Sequence, residues 1–148
     1  MIDPDGPVID PNYDGADAAY VNFFSCVLTG KEDNHIINFA GGSHSNKVVQ
    51  NCSVVFNADN DSVAIRANTV ENCIVQNLTS TSGGGTTVGI QADTSRSNNC
   101  TFGNFGTEQT GGTDGGNNLT GQDPLFTDTT VADPDLTLQT GSPCIGAG

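Results

Sequence analysis

Residues 61–104 contain the same pattern twice, and this repeat constrains the fold more than any other feature of the chain. Residues 61–77 read DSVAIRANTVENCIVQN, and residues 86–104 read TTVGIQADTSRSNNCTFGN. The two copies contain Cys73 and Cys100 at equivalent places, and earlier copies end at Cys52 and at Cys26. A recurring unit of roughly 20–30 residues, built of short alternating segments, is typical of a solenoid. We predict a parallel β-helix with one repeat per turn, and an irregular β-sandwich is the alternative.

In such a fold, equivalent residues of successive turns stack in columns. Alternation within a strand predicts that Val63 and Ile65 point inward, with Ala64 and Arg66 outward, and that the second copy repeats this assignment. The predicted core ladder consists of Cys26, Cys52, Cys73, Cys100, Val63, Ile65, Val88 and Ile90. Asn51, Asn72 and Asn99 precede three of these cysteines, and an asparagine at a bend satisfies backbone groups that the turning strand frees.

The five cysteines are an odd number, and four of them recur at one phase of the repeat. This favours a stack of small buried side chains over a disulfide framework. In-register parallel strands lie about 4.8 Å apart, a separation that a disulfide tolerates, so geometry alone does not decide. We expect reduced thiols.

The composition excludes several classes of partner. Four Lys and Arg against 17 Asp and Glu give a net charge of −13, which repels phosphate backbones and anionic membranes. We therefore expect neither nucleic acid nor membrane as a partner, and the sequence predicts no cofactor. The first residues lack the basic and apolar regions of a signal peptide, from which we expect a mature cytosolic product or an excised fragment.

The chain divides into an arm and one folded domain. Residues 1–18 contain three of the six prolines and are predicted to form an extended N-terminal arm. Residues 19–148 form the predicted β-helix domain with its closing segment, from which the glycine-rich stretch 106–121 protrudes as a loop. The candidate partner-binding residues are Val8, Ile9, Tyr13 and Tyr20.

The last part of the chain resembles a known protein family. Asp123-Pro124-Leu125-Phe126 is followed by Leu136 and Leu138 in an LxL strand, and then by Gly141-Ser142-Pro143, Ile145 and Ala147-Gly148. This order is similar to the closing segment of bacterial and phage right-handed parallel β-helix proteins with a choice-of-anchor Q-type domain. The resemblance implies right-handed coiling and a finished C-terminal end. It implies no chemistry, because this fold serves lyases, adhesins, tailspikes and virion proteins alike. Cys144 and Gly146 depart from the pattern, where the family tends to have Ala and Asp.

Three sets of residues are candidates for chemistry. Arg66 and Arg96 are candidates for neutralising a uronate, and Asp59, Asp61 and Asp93 for the paired carboxylates of a glycosidase. His35 and His44 with Asp33 form a partial metal pattern, and residues 111–119 resemble a single calcium-binding nonapeptide. Solvated arginines, turn-forming aspartates and histidines, and a flexible loop explain these residues better. We predict no catalytic, cofactor or metal site.

The sequence thus predicts a structural, non-enzymatic protein of the virion surface. The expected role is a capsid decoration (cement) subunit of a phage, a homotrimer bound to the major capsid protein or another virion subunit and bridging capsomers. A carbohydrate-binding or adhesive module of a tail fibre or cell-surface protein is the alternative, in which Tyr13, Tyr20 and residues 106–121 contact the ligand. A polysaccharide-degrading enzyme is the third interpretation.

Overall fold

The computed structural model describes residues 21–23, 27–31, 36–39, 47–57, 62–79, 87–130 and 133–147. Within these ranges every regular element is a β-strand, so the predicted all-β class is confirmed, and none of the described residues forms a helix that could cross a membrane. The strands, in chain order, are β1 (Val21–Phe23), β2 (Val27–Lys31), β3 (Ile37–Asn38), β4 (Lys47–Gln50), β5 (Ser53–Asn57), β6 (Val63–Glu71), β7 (Ile74–Asn77), β8 (Val88–Ser97), β9 (Cys100–Gly103), β10 (Thr107–Thr110), β11 (Thr113–Asp114), β12 (Leu119–Thr120), β13 (Phe126–Asp128) and β14 (Asp135–Leu138).

Two parallel sheets contain most of these strands. The first sheet has the order β1-β4-β6-β8-β10, with β3 also pairing with β6 and β11 with β8. The second has the order β12-β9-β7-β5-β2. From β4 to β10 the chain alternates between the two sheets, and each strand from β4 to β8 pairs in parallel with the strand that comes two later. β13 and β14 form a separate antiparallel pair.

The pairing register follows the sequence repeat. Val63 pairs with Val88 and Ile65 with Ile90, which are the same residues that the two copies of the repeat align. Between Ala67 and Thr69 the register shifts, because β8 contains one residue more than β6 at this bulge. In the second sheet Ser53 pairs with Ile74, and these residues directly follow the Asn-Cys dipeptides of consecutive copies. The repeat units are therefore the units of strand pairing.

The core lies between the two sheets. Ile65, Ile90 and Val75 are fully buried in one apolar cluster with the side chains of β4 and β5. Cys52 and Cys73 also belong to this cluster, whereas Val63 is half-buried and lies outside it. Val88 is buried at its margin but is likewise outside the cluster.

Ala64 contradicts the predicted alternation, because it is fully buried in the core beside Ile65. The equivalent residue of the next repeat is Gly89, and a Cβ added there would lie 2.5 Å from the Glu108 carbonyl oxygen, 3.1 Å from Thr101 Cγ2 and 3.3 Å from Phe105 Cε1. Two successive residues thus face the interior at this level. At position 89 even an alanine would collide with the Glu108 carbonyl oxygen, and the neighbouring Phe105 ring packs against Phe56 with a centroid separation of 5.8 Å.

The glycine-rich stretch 106–121 was predicted to be a protruding loop, and this prediction is wrong. It contains β10, β11 and β12, which pair in parallel with β8 and β9 and add one more layer to both sheets. The sequence did not predict these strands because their residues are mostly polar and show almost no apolar alternation. Gly111 and Gly112 have positive φ values of 73° and 56°, and a Cβ on Gly111 would collide with the Ala92 carbonyl oxygen. Glycine is therefore needed where this layer approaches β8.

The chain after β12 folds back toward the second sheet. Pro124 and Phe126 are buried, and the Gln139 backbone N–H donates to the Leu125 carbonyl oxygen at 2.9 Å. Leu136 and Leu138, predicted to form a last strand, lie in β14 and are half-buried. A turn follows, which we call the C-terminal segment (residues 142–147).

Candidate binding groove

One row of asparagines marks the entry to every described strand of the second sheet after β2. Asn51, Asn72, Asn98 and Asn117 have φ values of 55°, 51°, 55° and 56°. Each lies two residues before a member of one register column, which consists of Ser53, Ile74, Cys100 and Leu119. Asparagine tolerates this left-handed conformation better than other residues with a Cβ atom, because its short polar side chain bonds locally. We call these four residues the asparagine row.

The positions of these four asparagines show that the predicted alignment of the cysteines is wrong for Cys100. The sequence aligned Asn99 with Asn51 and Asn72, and Cys100 with Cys52 and Cys73. In the structure Asn98 takes the left-handed position, so Asn99 lies in register with Cys73 and Cys100 lies in register with Ile74. Cys100 is therefore not a member of the internal column. The sequence left this shift ambiguous, because either Asn98 or Asn99 could take the turn position. Aligning the cysteines favours Asn99, whereas the structure places Asn98 there.

Asn99 replaces a thiol in the interior with an amide that bonds to three neighbours. Its side chain is 1% exposed. Its Oδ1 accepts from the Cys73 backbone N–H at 3.0 Å, and its Nδ2 donates to the Val70 carbonyl oxygen at 2.9 Å. Asn118, one layer further, accepts from both the backbone N–H and the Nδ2 of Asn99 at 3.1 Å. The amide column thus connects three successive layers.

Cys100 points away from the core, because it shares the register position of Ile74 and alternates with Thr101, which is fully buried. It is nevertheless only 3% exposed. The C-terminal segment covers it and forms the opposite wall of a cavity of about 340 Å³. The cavity, here called the groove, is lined by Asn51, Asn72, Ile74, Asn98, Asn99, Cys100, Leu119, Cys144, Gly146 and Ala147.

The two thiols of the groove differ in acidity. The Cys100 thiol donates to the Gln122 carbonyl oxygen at 3.5 Å, and Cys144 lines the same groove. Interaction with the Cys144 side chain raises the pKa of Cys100, and burial and the nearby charges of Cys144, Glu108 and Asp123 raise it further. Interaction with the Cys100 side chain and a bond from Ser142 lower the pKa of Cys144. Cys144 therefore loses its proton first. The pKa of the interior thiol Cys73 is raised by the Cys52 side chain and by burial.

The groove presents neutral hydrogen-bonding groups beside apolar surface. Asn51 and Asn72 are exposed, and Asn117 Nδ2 donates to Asn98 Oδ1 at 3.1 Å further along the row. Ile74 and Leu119 supply the apolar part of the floor. Amides that both donate and accept, next to apolar patches, suit an uncharged polyhydroxylated ligand. The sequence contained the row of Asn-Cys dipeptides but gave no sign that the C-terminal segment would close over them.

The two arginines considered for catalysis do not come together. Arg66 pairs in register with Gln91, whereas Arg96 pairs with Val70, further along β6. Arg96 Nη1 donates to the Gly111 carbonyl oxygen, and its Nη2 lies 3.3 Å from Asp114 Oδ2. Through these contacts Arg96, which lies in β8, links this strand to residues 111–114.

Residues 111–119, which resemble a calcium-binding nonapeptide, also have a structural role in this fold. Asp114 Oδ1 accepts from the Gly116 backbone N–H at 2.9 Å and from Asn118 Nδ2 at 2.7 Å. Its other oxygen faces Arg96, so both carboxylate oxygens have partners within the protein. Asp93, the described member of the aspartate set, is exposed on β8.

The remaining predicted residues lie outside the described ranges. These are the arm with Val8, Ile9 and Tyr13, together with Tyr20, Cys26, Asp33, His35, His44, Asp59 and Asp61. Among the residues that are described, no group of three or more His, Cys, Asp or Glu side chains is arranged to hold a metal ion. Comparison of the chain with protein-family models, with curated proteins and with solved structures found no match.

Proposed function

We propose that the chain is a short right-handed parallel β-helix and that it serves as a structural protein of a virion surface, a decoration (cement) subunit that bridges the capsomers of a phage shell. The observation that carries the proposal is the alternation of strands between two parallel sheets over successive repeats. A chain that alternates in this way and pairs each strand two elements ahead traces a coil.

Handedness follows from a general rule and from the sequence. Connections between parallel strands of one sheet are right-handed in about 98% of cases. The closing segment resembles that of right-handed β-helix proteins with a choice-of-anchor Q-type domain, and its Pro124 and Phe126 are buried, as a closing segment requires.

A decoration subunit has to be stiff, and this stack supplies stiffness through its backbone. Strands β5, β6, β7, β8 and β9 each have parallel partners on both sides. The Asn99 amide and the Arg96 contacts add side-chain bonds between layers. The surface is strongly acidic, with a net charge of −13, which favours contact with basic surfaces of other protein subunits.

The experiment combines solution mass with binding to capsids. Light scattering of the purified chain is expected to give three times the 15.2 kDa protomer mass. Capsids of the virus that encodes the chain, prepared without it, are expected to bind it on co-sedimentation and to retain DNA at a higher temperature. A monomer that fails to sediment with such capsids would exclude the proposal.

A second function is favoured by the groove itself: binding of an uncharged glycan along the asparagine row. A glycan array probed with the labelled protein is its test, with Asn72→Leu as the variant that removes an exposed amide of the row. Thr120→Val, at an exposed position that does not line the groove, is the matched control. Signals that both variants retain equally would place glycan binding elsewhere, and no signal from the unmodified protein would exclude it.

A further inference from the structure

Cys100 and Cys144 are brought together by the fold although they lie far apart in the sequence. Cys100 lies on the outer side of β9, and the C-terminal segment lays Cys144 against it. The two thiols line the same groove, and each shifts the pKa of the other. Cys144 is half-buried and so remains accessible from the groove, whereas Cys100 is only 3% exposed.

The other described thiols are placed differently. Cys52 and Cys73 are 1% and 0% exposed in the core. Their sulfur atoms donate to backbone carbonyl oxygens, Cys52 to Gln50 at 3.3 Å and Cys73 to Glu71 at 3.2 Å. A small-molecule oxidant has no route to them without opening the stack. The expectation of reduced thiols rested on a column of cysteines, and Cys100 does not belong to that column.

We propose that Cys100 and Cys144 form a reversible disulfide that fastens the C-terminal segment over the groove. With a low-molecular-weight disulfide such as oxidised glutathione, the Cys144 thiolate attacks one sulfur and expels one glutathione thiolate, leaving a mixed disulfide on Cys144. Cys100 then attacks the Cys144 sulfur and expels the second glutathione thiolate. The two protein thiol protons end on the two released glutathione molecules, so one disulfide is reduced as one is formed.

The order of these steps follows from position and acidity. Cys144 is the more exposed thiol, and its pKa is lowered by interaction with the Cys100 side chain and with Ser142. Cys100 is held in its thiol form while Cys144 carries a negative charge beside it. Formation of the mixed disulfide removes that charge, which lowers the barrier to ionising Cys100 and places the attacked sulfur next to it.

The test is incubation of the reduced full chain with oxidised glutathione, followed by mass spectrometry. The expected product has lost two hydrogens, a mass decrease of about 2 Da, without a retained glutathione adduct. Trypsin does not locate the bond, because Arg96 is the last basic residue and leaves both cysteines in residues 97–148. Trypsin combined with a protease that cleaves after glutamate separates them into residues 97–108 and 109–148 with one cysteine each, so the expected non-reduced fragment pair contains Cys100 linked to Cys144.

Two variants test which cysteines form the bond. Cys144→Ser is expected to abolish the mass decrease, whereas Cys52→Ala combined with Cys73→Ala retains it. If that double variant fails to fold, the fragment map of the unmodified protein decides alone. A glutathione adduct that persists on Cys144, a linkage through Cys26, Cys52 or Cys73, or no reaction at all would overturn the proposal.

Discussion

Asparagine has two distinct roles at adjacent positions of this chain. Asn98 lies in the left-handed region and turns the backbone into β9, whereas Asn99 is buried and bonds to the layers on both sides. The first role depends on conformational tolerance and the second on the paired donor and acceptor of the amide. Substitutions at these positions should therefore separate backbone strain from loss of buried hydrogen bonds.

Asn99→Ala is expected to destabilise the protein by about 2 kcal/mol or more, because it leaves the Cys73 N–H and the Val70 carbonyl oxygen buried without the amide that pairs them. Asn98→Gly is the matched control and is expected to stay within about 0.5 kcal/mol, since glycine adopts the same φ. Urea unfolding followed by circular dichroism measures both. Equal costs for the two variants would contradict the assigned roles.

Asn72 tests the conformational role at an exposed position, where no buried bond is lost. With φ at 51°, Asn72→Ala keeps the Cβ that strains this conformation but loses the polar side chain whose local bonding offsets the strain, so it is expected to cost about 1 kcal/mol. Asn72→Gly should be neutral or slightly stabilising. Thermal unfolding of the two variants gives the comparison, and an alanine variant as stable as the glycine variant would show that the turn adopts another conformation.

At the scale of elements, the last layer (β10, β11 and β12) depends on glycine and on one aspartate. Gly111→Ala would bring a Cβ onto the Ala92 carbonyl oxygen, so β10 and β11 are expected to separate from β8. Gly116→Ala is the control, since Gly116 also has a positive φ of 94° but nothing lies within 4 Å of its added Cβ. Hydrogen exchange should become faster across residues 107–120 in the first variant and only near residue 116 in the second. Similar exchange in both would mean that strain in φ, and not close packing, is what matters.

Asp114 is the second support of this layer. Bonds from the Gly116 N–H and from Asn118 Nδ2 lower the pKa of its carboxyl group, with Arg96 contributing. A folded-state pKa below the unfolded value means that the contribution to stability is present above the unfolded pKa of about 3.9 and is lost as the pH falls through the folded pKa. The Gly116 amide resonance is therefore expected to titrate with a midpoint below about 3.9. Asp114→Asn should abolish that titration, and a midpoint at or above the ordinary value would rule out the bonded carboxylate.

The sequence predicted the elements that carry apolar alternation and missed those that do not. The Val63 and Val88 repeats are visible because β6 and β8 bury aliphatic side chains, and their register follows directly. Strand β12 contains only Leu119 and Thr120 and relies on backbone pairing with β9, so composition indicated a loop. The groove was equally hidden, because it requires Cys144 to meet Cys100 across a fold-back that no local pattern encodes.

At the scale of the whole molecule, the dominant electrostatic feature is self-repulsion. A net charge of −13 on 148 residues opposes compaction, and the described residues include an ion pair between Arg96 and Asp114 to set against it. Repulsion between exposed charges is screened over about 8 Å at physiological salt and about 3 Å at 1 M. The melting temperature at pH 7 is therefore expected to rise by several degrees between low salt and about 0.5 M NaCl, the concentration range over which screening becomes short-ranged.

The same titration repeated near the isoelectric point separates charge repulsion from general effects of salt. At pH values close to the sequence pI of 4.1 the net charge is near zero, so screening has little repulsion to relieve and the melting temperature should depend only weakly on NaCl. Differential scanning fluorimetry at both pH values gives the two slopes from one preparation. A slope at pH 7 that is negative, or no larger than the slope near the isoelectric point, would show that the acidic groups are already compensated within the fold or by a neighbouring copy. That result would favour assembly with other subunits as the reason for the acidity.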